Sequence, residues 1–190
     1  NQLGATDAEK SAITTYFDKR TVSHSAVVTQ FNALRKPTIH WVNFLNYDEI
    51  RGKLATLKLE DRPVFGKMNS QQMIEHLSAV TQIANGNWPL DVFVSEDKSA
   101  RRKPFLDTEN ELQIGFKASF LAEDPKELLF NSIEESIDDL VYQLEKFVSV
   151  FAEDKNRTVV HPFFGELDVE YWKKFQVKHF THHFKQFGLV

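Results

Sequence analysis

At 190 residues, with a formal net charge of -4, 42% hydrophobic and 26% charged residues and no cysteine, the chain can bury a sizeable single core and is too balanced in composition for wholesale disorder. Without cysteine there is no disulfide, thiolate-held zinc, iron–sulfur cluster or cysteine nucleophile, so any transition metal must be held by histidine and carboxylate. The modest, interspersed charge and the lack of an apolar run of spanning length argue against nucleic acid and membrane as partners and make the cytoplasm the default location.

The first ten residues lack the charged-then-apolar order of a signal peptide. The chain opens on Asn1 rather than Met, as a processed, tagged or excised polypeptide would. Residues 7–34 hold two short helical patterns, one with Ile13, Tyr16 and Phe17 and one with Val27, Phe31 and Leu34. They read as a helical N-terminal extension over residues 1–43. The rest, residues 44–190, reads as one helical domain.

Its first helix is expected over residues 47–58, where Ile50, Leu54 and Leu57 share a stripe. Asn69, with Gln72 three positions on, marks the start of a second helix running to about Gly86, with Asn69 as cap and Gln72 reaching back. Residues 87–124 read as a long crossover containing a short strand or hairpin around Leu112, Ile114 and Phe116. Within it, Arg101-Arg102-Lys103 reads as a solvated loop. From Pro125 to about Ala152 the series Leu129, Ile133, Ile137, Leu140, Leu144, Phe147 and Phe151 predicts the clearest helix of the chain. A turn through His161-Pro162 and Gly165 leads to Asp168 as cap of a last helix ending at Gly188. The fold class is therefore mainly α: a four-helix bundle with one long crossover between helices two and three.

Three of the seven histidines fall on the last helix, as His179, His182 and His183. At about 100° per residue, His179 and His183 lie roughly 40° apart on the face of Trp172 and Phe175, whereas Lys174, Lys178 and Lys185 take the opposite side. His182 turns toward the edge and is the weaker ligand candidate. On helix two, His76 shares a side with Met73, Val80 and Ile83, so packing the two helices together would gather three imidazoles. Such a pair of buried imidazoles needs hydrogen-bond partners or a shared Lewis acid, and the spacing leaves both open. Gln72 and Gln186, each one turn from an inward histidine, are candidates to orient it or to contact substrate. Glu75 points about 100° from His76 and reads as a solvated helix residue. His24, His40 and His161 read as structural or surface residues; a place at the mouth of the site as a proton carrier is a second role open to His161, and nothing in its spacing points to it.

Two motifs then stand out together. One is Phe65-Gly66-Lys67-Met68 followed by His76; the other is His161-Pro162-Phe163-Phe164-Gly165 with Trp172 and the run Lys178 to Gly188. Over roughly residues 44–190 the chain resembles the DinB/YfiT-like superfamily of metalloenzymes, and within it a subgroup of unknown function whose motif has Trp where this chain has Phe65. The resemblance implies an up-down-down-up bundle and a divalent metal ion, nickel or zinc, held by one histidine of helix two and two of helix four. Carried over, these are His76, His179 and His183.

Three neutral imidazoles leave positions on the ion open to water or substrate. The expected function is a metal-dependent enzyme acting on a small molecule, as a hydrolase or as a transferase using a low-molecular-weight thiol from solution. No general acid or base is identified. The alternative is a non-catalytic bundle that binds a ligand or partner, which a homodimer formed through the extension would fit.

Overall fold

A computed structural model describes residues 38–88, 94–115 and 127–190. The chain divides into two units, Asn1–Ile39 and His40–Val190, and the description below concerns the second. The two helical patterns expected within residues 7–34, and His24, lie outside the described residues. His40 is exposed.

The described part is mainly helical. In chain order it runs through α1 (Tyr47–Leu54), α2 (Ser70–Ala84), α3 (Glu96–Arg102), a 3-10 turn (Lys103–Asp107), α4 (Ile133–Glu153), β1 (Val159–His161), β2 (Gly165–Leu167) and α5 (Val169–Gln186). None of the helices is long and apolar enough to cross a membrane, among the described residues.

The starts of α2 and α5 follow from local chemistry. Asn69 accepts from the Gln72 backbone N–H at 2.8 Å while Gln72 Oε1 accepts from the Asn69 N–H at 2.9 Å, a reciprocal capping box. Asp168 caps α5 through the Tyr171 N–H at 2.9 Å. Gly188, at φ +67°, supplies the left-handed turn that ends α5.

Helix α4 begins eight residues later than the pattern from Pro125 predicts. Ser132 is its cap, accepting from the Glu135 N–H, and Leu129, read as part of the stripe, is 74% exposed. The reason is tertiary: the N–H groups of Leu129 and Phe130 are drawn to the carboxylate of Glu75 on α2 instead of entering a helix. Helix α1 likewise stops at Leu54, where Ala55 caps it through Arg51 and Lys53 carbonyls.

The β-hairpin also sits elsewhere than expected. Residues 112–115 form no strand, with Ile114 62% exposed and Phe116 outside the described residues. The crossover instead carries α3 and the 3-10 turn, which no apolar periodicity announced. The antiparallel hairpin is β1–β2, pairing Val159 with Leu167 and His161 with Gly165. Its two strands have three residues each, too short for alternation to register.

The core joins residues from α1, α2, α4, α5 and the stretch before α1. Phe44, Ile50, Leu54, Met73, Ile74, Leu77, Leu140, Leu144, Phe147, Trp172, Phe180 and Phe184 are all at most 2% exposed. Phe44 meets Phe147 and Phe180, each with ring centroids 5.7 Å apart. Val42, only 7% exposed, donates its N–H to Thr181 Oγ1 on α5 at 2.9 Å. Burying aromatic area of this kind supplies most of the folding drive, and α2 and α5 are thereby fixed side by side.

Candidate metal centre

His179 and His183 sit one turn apart on α5, each 6% exposed, and half-buried His76 faces them from α2. The three Nε2 atoms converge: His76 Nε2 is 3.0 Å and His183 Nε2 is 3.1 Å from His179 Nε2. Each residue offers one ligand atom, all within 4.8 Å of one another.

Hydrogen bonding alone does not account for this meeting. A ring nitrogen carries one in-plane proton or one lone pair, so His179 Nε2 cannot serve two partners well. His183 is tied further. Gln186 donates its Nε2–H to the Phe65 carbonyl at 2.7 Å, which turns its Oε1 toward His183 Nδ1 at 2.8 Å. That Nδ1 must carry the proton, leaving the Nε2 lone pair aimed at the other two rings. Two nitrogens each about 2.1 Å from one ion stand roughly 3.0–3.4 Å apart, so the observed spacing fits a shared divalent metal.

The Phe65-Gly66 stretch owes its form to the same glutamine. Gly66 is at φ +85°, and a Cβ there would lie 2.5 Å from Gln186 Nε2. The Val64 N–H completes the latch by donating to the Gln186 carbonyl at 2.7 Å. Gln186 therefore orients a candidate ligand, as its spacing suggested. Gln72 uses its Oε1 in the helix cap.

Burial sets the protonation of the cluster. Desolvation, reinforced by the neighbouring His183, His76, His182 and His161, pushes the His179 imidazolium well below the ordinary range. His183 is lowered well below it too, by desolvation and by His76, against the opposing bond to Gln186. Both rings are neutral, the state a ligand requires. His179 Nδ1 is buried with no hydrogen-bond partner among the described residues.

The other histidines stand around this group. His182, part-buried, packs its ring 5.1 Å from Phe65 and 5.0 Å from His183. Desolvation lowers its pKa, against a backbone bond to Leu112. His161 is 5% exposed and packs 4.3 Å from Phe175, which in turn stacks on His179 at 5.2 Å. Its Nδ1 accepts from the N–H groups of Phe163 and Phe164 at 3.1 and 3.4 Å, so its proton is on Nε2. Desolvation lowers its pKa to about 3. A ring that stays neutral across the physiological range is suited to accepting these two backbone hydrogen bonds.

Two residues depart from the sequence reading. Glu75 is not solvated: it is 7% exposed and accepts from Leu129 N–H at 2.8 Å, Phe130 N–H at 3.2 Å, Gln71 Nε2 at 3.0 Å and Ser136 Oγ at 3.3 Å. Lys178 is not on an open face: it is 4% exposed, its ammonium donating to the carbonyls of Thr108 and Asn110 at 2.6 Å each and lying over the rings of Trp41 and Phe105. A helical wheel places a side chain about its own axis and is blind to the loops that cover it. In both cases the partner is a loop remote in sequence, and no local signal marks it.

A family model described as a protein of unknown function, DUF1569, matches residues 123–188. The match takes in α4, the hairpin and α5, and with them His161, His179 and His183, but not His76. No curated protein matches the chain, and no solved structure does.

Proposed function

We propose that this chain is a metal-dependent enzyme of the DinB/YfiT-like kind, acting on a small molecule by hydrolysis or by transfer of a thiol. In this reading α1, α2, α4 and α5 form the four-helix bundle, and His76, His179 and His183 hold one divalent ion, nickel or zinc. The observation that carries it is the meeting of three imidazole Nε2 atoms at 3.0 and 3.1 Å. The ion would supply a Lewis acid that favours the deprotonated form of a water or a thiol near neutral pH.

The residues around it have defined tasks. Gln186 holds the His183 tautomer and the Phe65 carbonyl together, so the loop before α2 and the last turn of α5 keep one geometry. Phe175 covers one face of His179 and keeps water from it. With no cysteine in the chain, a thiol substrate comes from solution.

A non-catalytic bundle that binds a ligand or partner is the second reading. The unpartnered Nδ1 of His179 favours it, because ligating imidazoles ordinarily donate that N–H to an acceptor. Elemental analysis of protein purified without a His tag or chelator decides between them when run beside the His179→Ala/His183→Ala double variant. About one metal per chain in the wild type, absent in the variant, is the expected result. No metal in either, with none taken up from added nickel or zinc, would leave the binding reading.

A further inference from the structure

Two of the buried side-chain atoms without a hydrogen-bond partner among the described residues, His179 Nδ1 and Gln176 Oε1, stand one turn apart on α5. They are complementary. A His179 that ligates through Nε2 carries its proton on Nδ1, and a carboxamide oxygen is an acceptor. Gln176 is fully buried and His179 is 6% exposed, so neither atom turns to solvent instead, and each left alone is costly.

The bonds around Gln176 decide which end of its amide is free. Thr81 Oγ1 on α2 donates to the Leu77 carbonyl at 2.8 Å. Its one proton is used there, so toward Gln176 it accepts, and the Gln176 Nε2–H donates to it at 3.4 Å. The oxygen of the amide is therefore the unpartnered end. The bond to Thr81 is long, and little holds the amide where it stands.

The other histidine of α5 shows the reach. Gln186 comes three residues after His183, and its Oε1 meets His183 Nδ1 at 2.8 Å. Gln176 comes three residues before His179, the same separation on the helix, and side chains so spaced are neighbours. One face of His179 is covered by the Phe175 ring, stacked at 5.2 Å with 18° between the planes, and the Nε2 edge meets His76 and His183. An acceptor for Nδ1 approaches along the remaining edge.

We infer that Gln176 is the positioning residue for His179: in the filled site its Oε1 accepts the His179 Nδ1–H and holds the Nε2 lone pair toward the ion, as Gln186 does for His183. A small turn of one amide then satisfies both atoms. This rests on the metal reading above, and it accounts for the observation that favours the binding reading, since the acceptor that a ligating imidazole requires comes from α5 itself.

The test follows the ring N–H protons of the full chain by NMR on isotope-labelled histidine, with and without zinc, beside zinc affinity from chelator competition. Zinc is expected to bring out a slowly exchanging, downfield His179 Nδ1 proton. Gln176→Met, apolar and of similar length, should move that proton upfield, leave the His183 signal in place and weaken zinc binding by about 10–100-fold. Gln176→Glu keeps an acceptor and should restore the affinity. Wild-type zinc affinity in folded Gln176→Met, or a His179 proton that this substitution does not move, would overturn the inference while leaving the metal centre standing. Should the variants not fold, the zinc-loaded wild type decides alone: a His179 Nδ1 proton at the position of a ring N–H without an acceptor sinks the inference. No zinc uptake by the wild type would instead remove the metal reading, and this inference with it.

Discussion

Glu75 and His76 are neighbours on α2, yet they enter two buried polar clusters of opposite kind. Around Glu75 every contact pairs an acceptor with a donor: two backbone N–H groups, an amide and a hydroxyl meet one carboxylate. Around His76 three ring nitrogens meet one another, with His183 bound to present a lone pair. A cluster whose hydrogen bonds close on themselves has a structural task, joining α2 to the segment before α4. A cluster whose lone pairs converge without enough protons is the arrangement that the proposed metal ion would complete.

The largest expected effect separates the two directly. Glu75→Ala strips the acceptor from the Leu129 and Phe130 N–H groups and should cost about 3 kcal/mol of stability in urea unfolding, with metal stoichiometry kept in the folded fraction. A loss below about 1 kcal/mol would mean that the joint is not closed as described.

The converse holds for the imidazoles. With zinc at a hundredfold excess over its dissociation constant, the wild type should gain about 2.7 kcal/mol, and the His179→Ala/His183→Ala variant nothing. An equal gain in both would place the metal elsewhere.

Gln186 tests the link between ligand and loop. Gln186→Leu removes the acceptor from His183 Nδ1 and the donor from the Phe65 carbonyl, and should weaken metal binding by about 10–100-fold, measured by chelator competition. Unchanged affinity would show that the glutamine matters to the loop alone.

The smallest effect is a slope. His161 has a folded-state pKa of about 3 against about 6.5 unfolded. Below 6.5 the unfolded chain takes up a proton that the folded ring refuses, so its stabilising share is complete above that pH and is lost as pH falls toward the folded value. The contribution is about 1.4 kcal/mol per pH unit at most, and His161→Phe should flatten the stability profile of metal-free protein by that amount. A variant with the wild-type slope would contradict burial of a neutral ring.

Local chemistry was the legible part. The Asn69 box, the Asp168 cap, the Gly188 stop and the stripe from Ile137 to Phe151 are written within a few residues of where they act, and the structure bears them out. The inward pairing of His179 and His183 was equally readable, because two residues four apart on one helix share a face whatever surrounds them. That Gln186 orients His183 follows from the same periodicity.

What stayed hidden depends on contacts between distant segments. The start of α4 looked like Pro125 from its periodicity, but a carboxylate more than fifty residues away claims the N–H groups that would have begun the helix there. Lys178 looked solvated until the carbonyls of Thr108 and Asn110 closed over it. The sequence by itself thus determined α2, α5 and the body of α4, the caps of α2 and α5 and the faces their histidines take, since these rest on backbone geometry and near-neighbour hydrogen bonds. Only the tertiary structure decided which polar groups are satisfied, because burial and pairing are properties of the space between elements, and that difference separates the Glu75 joint from the three-histidine centre.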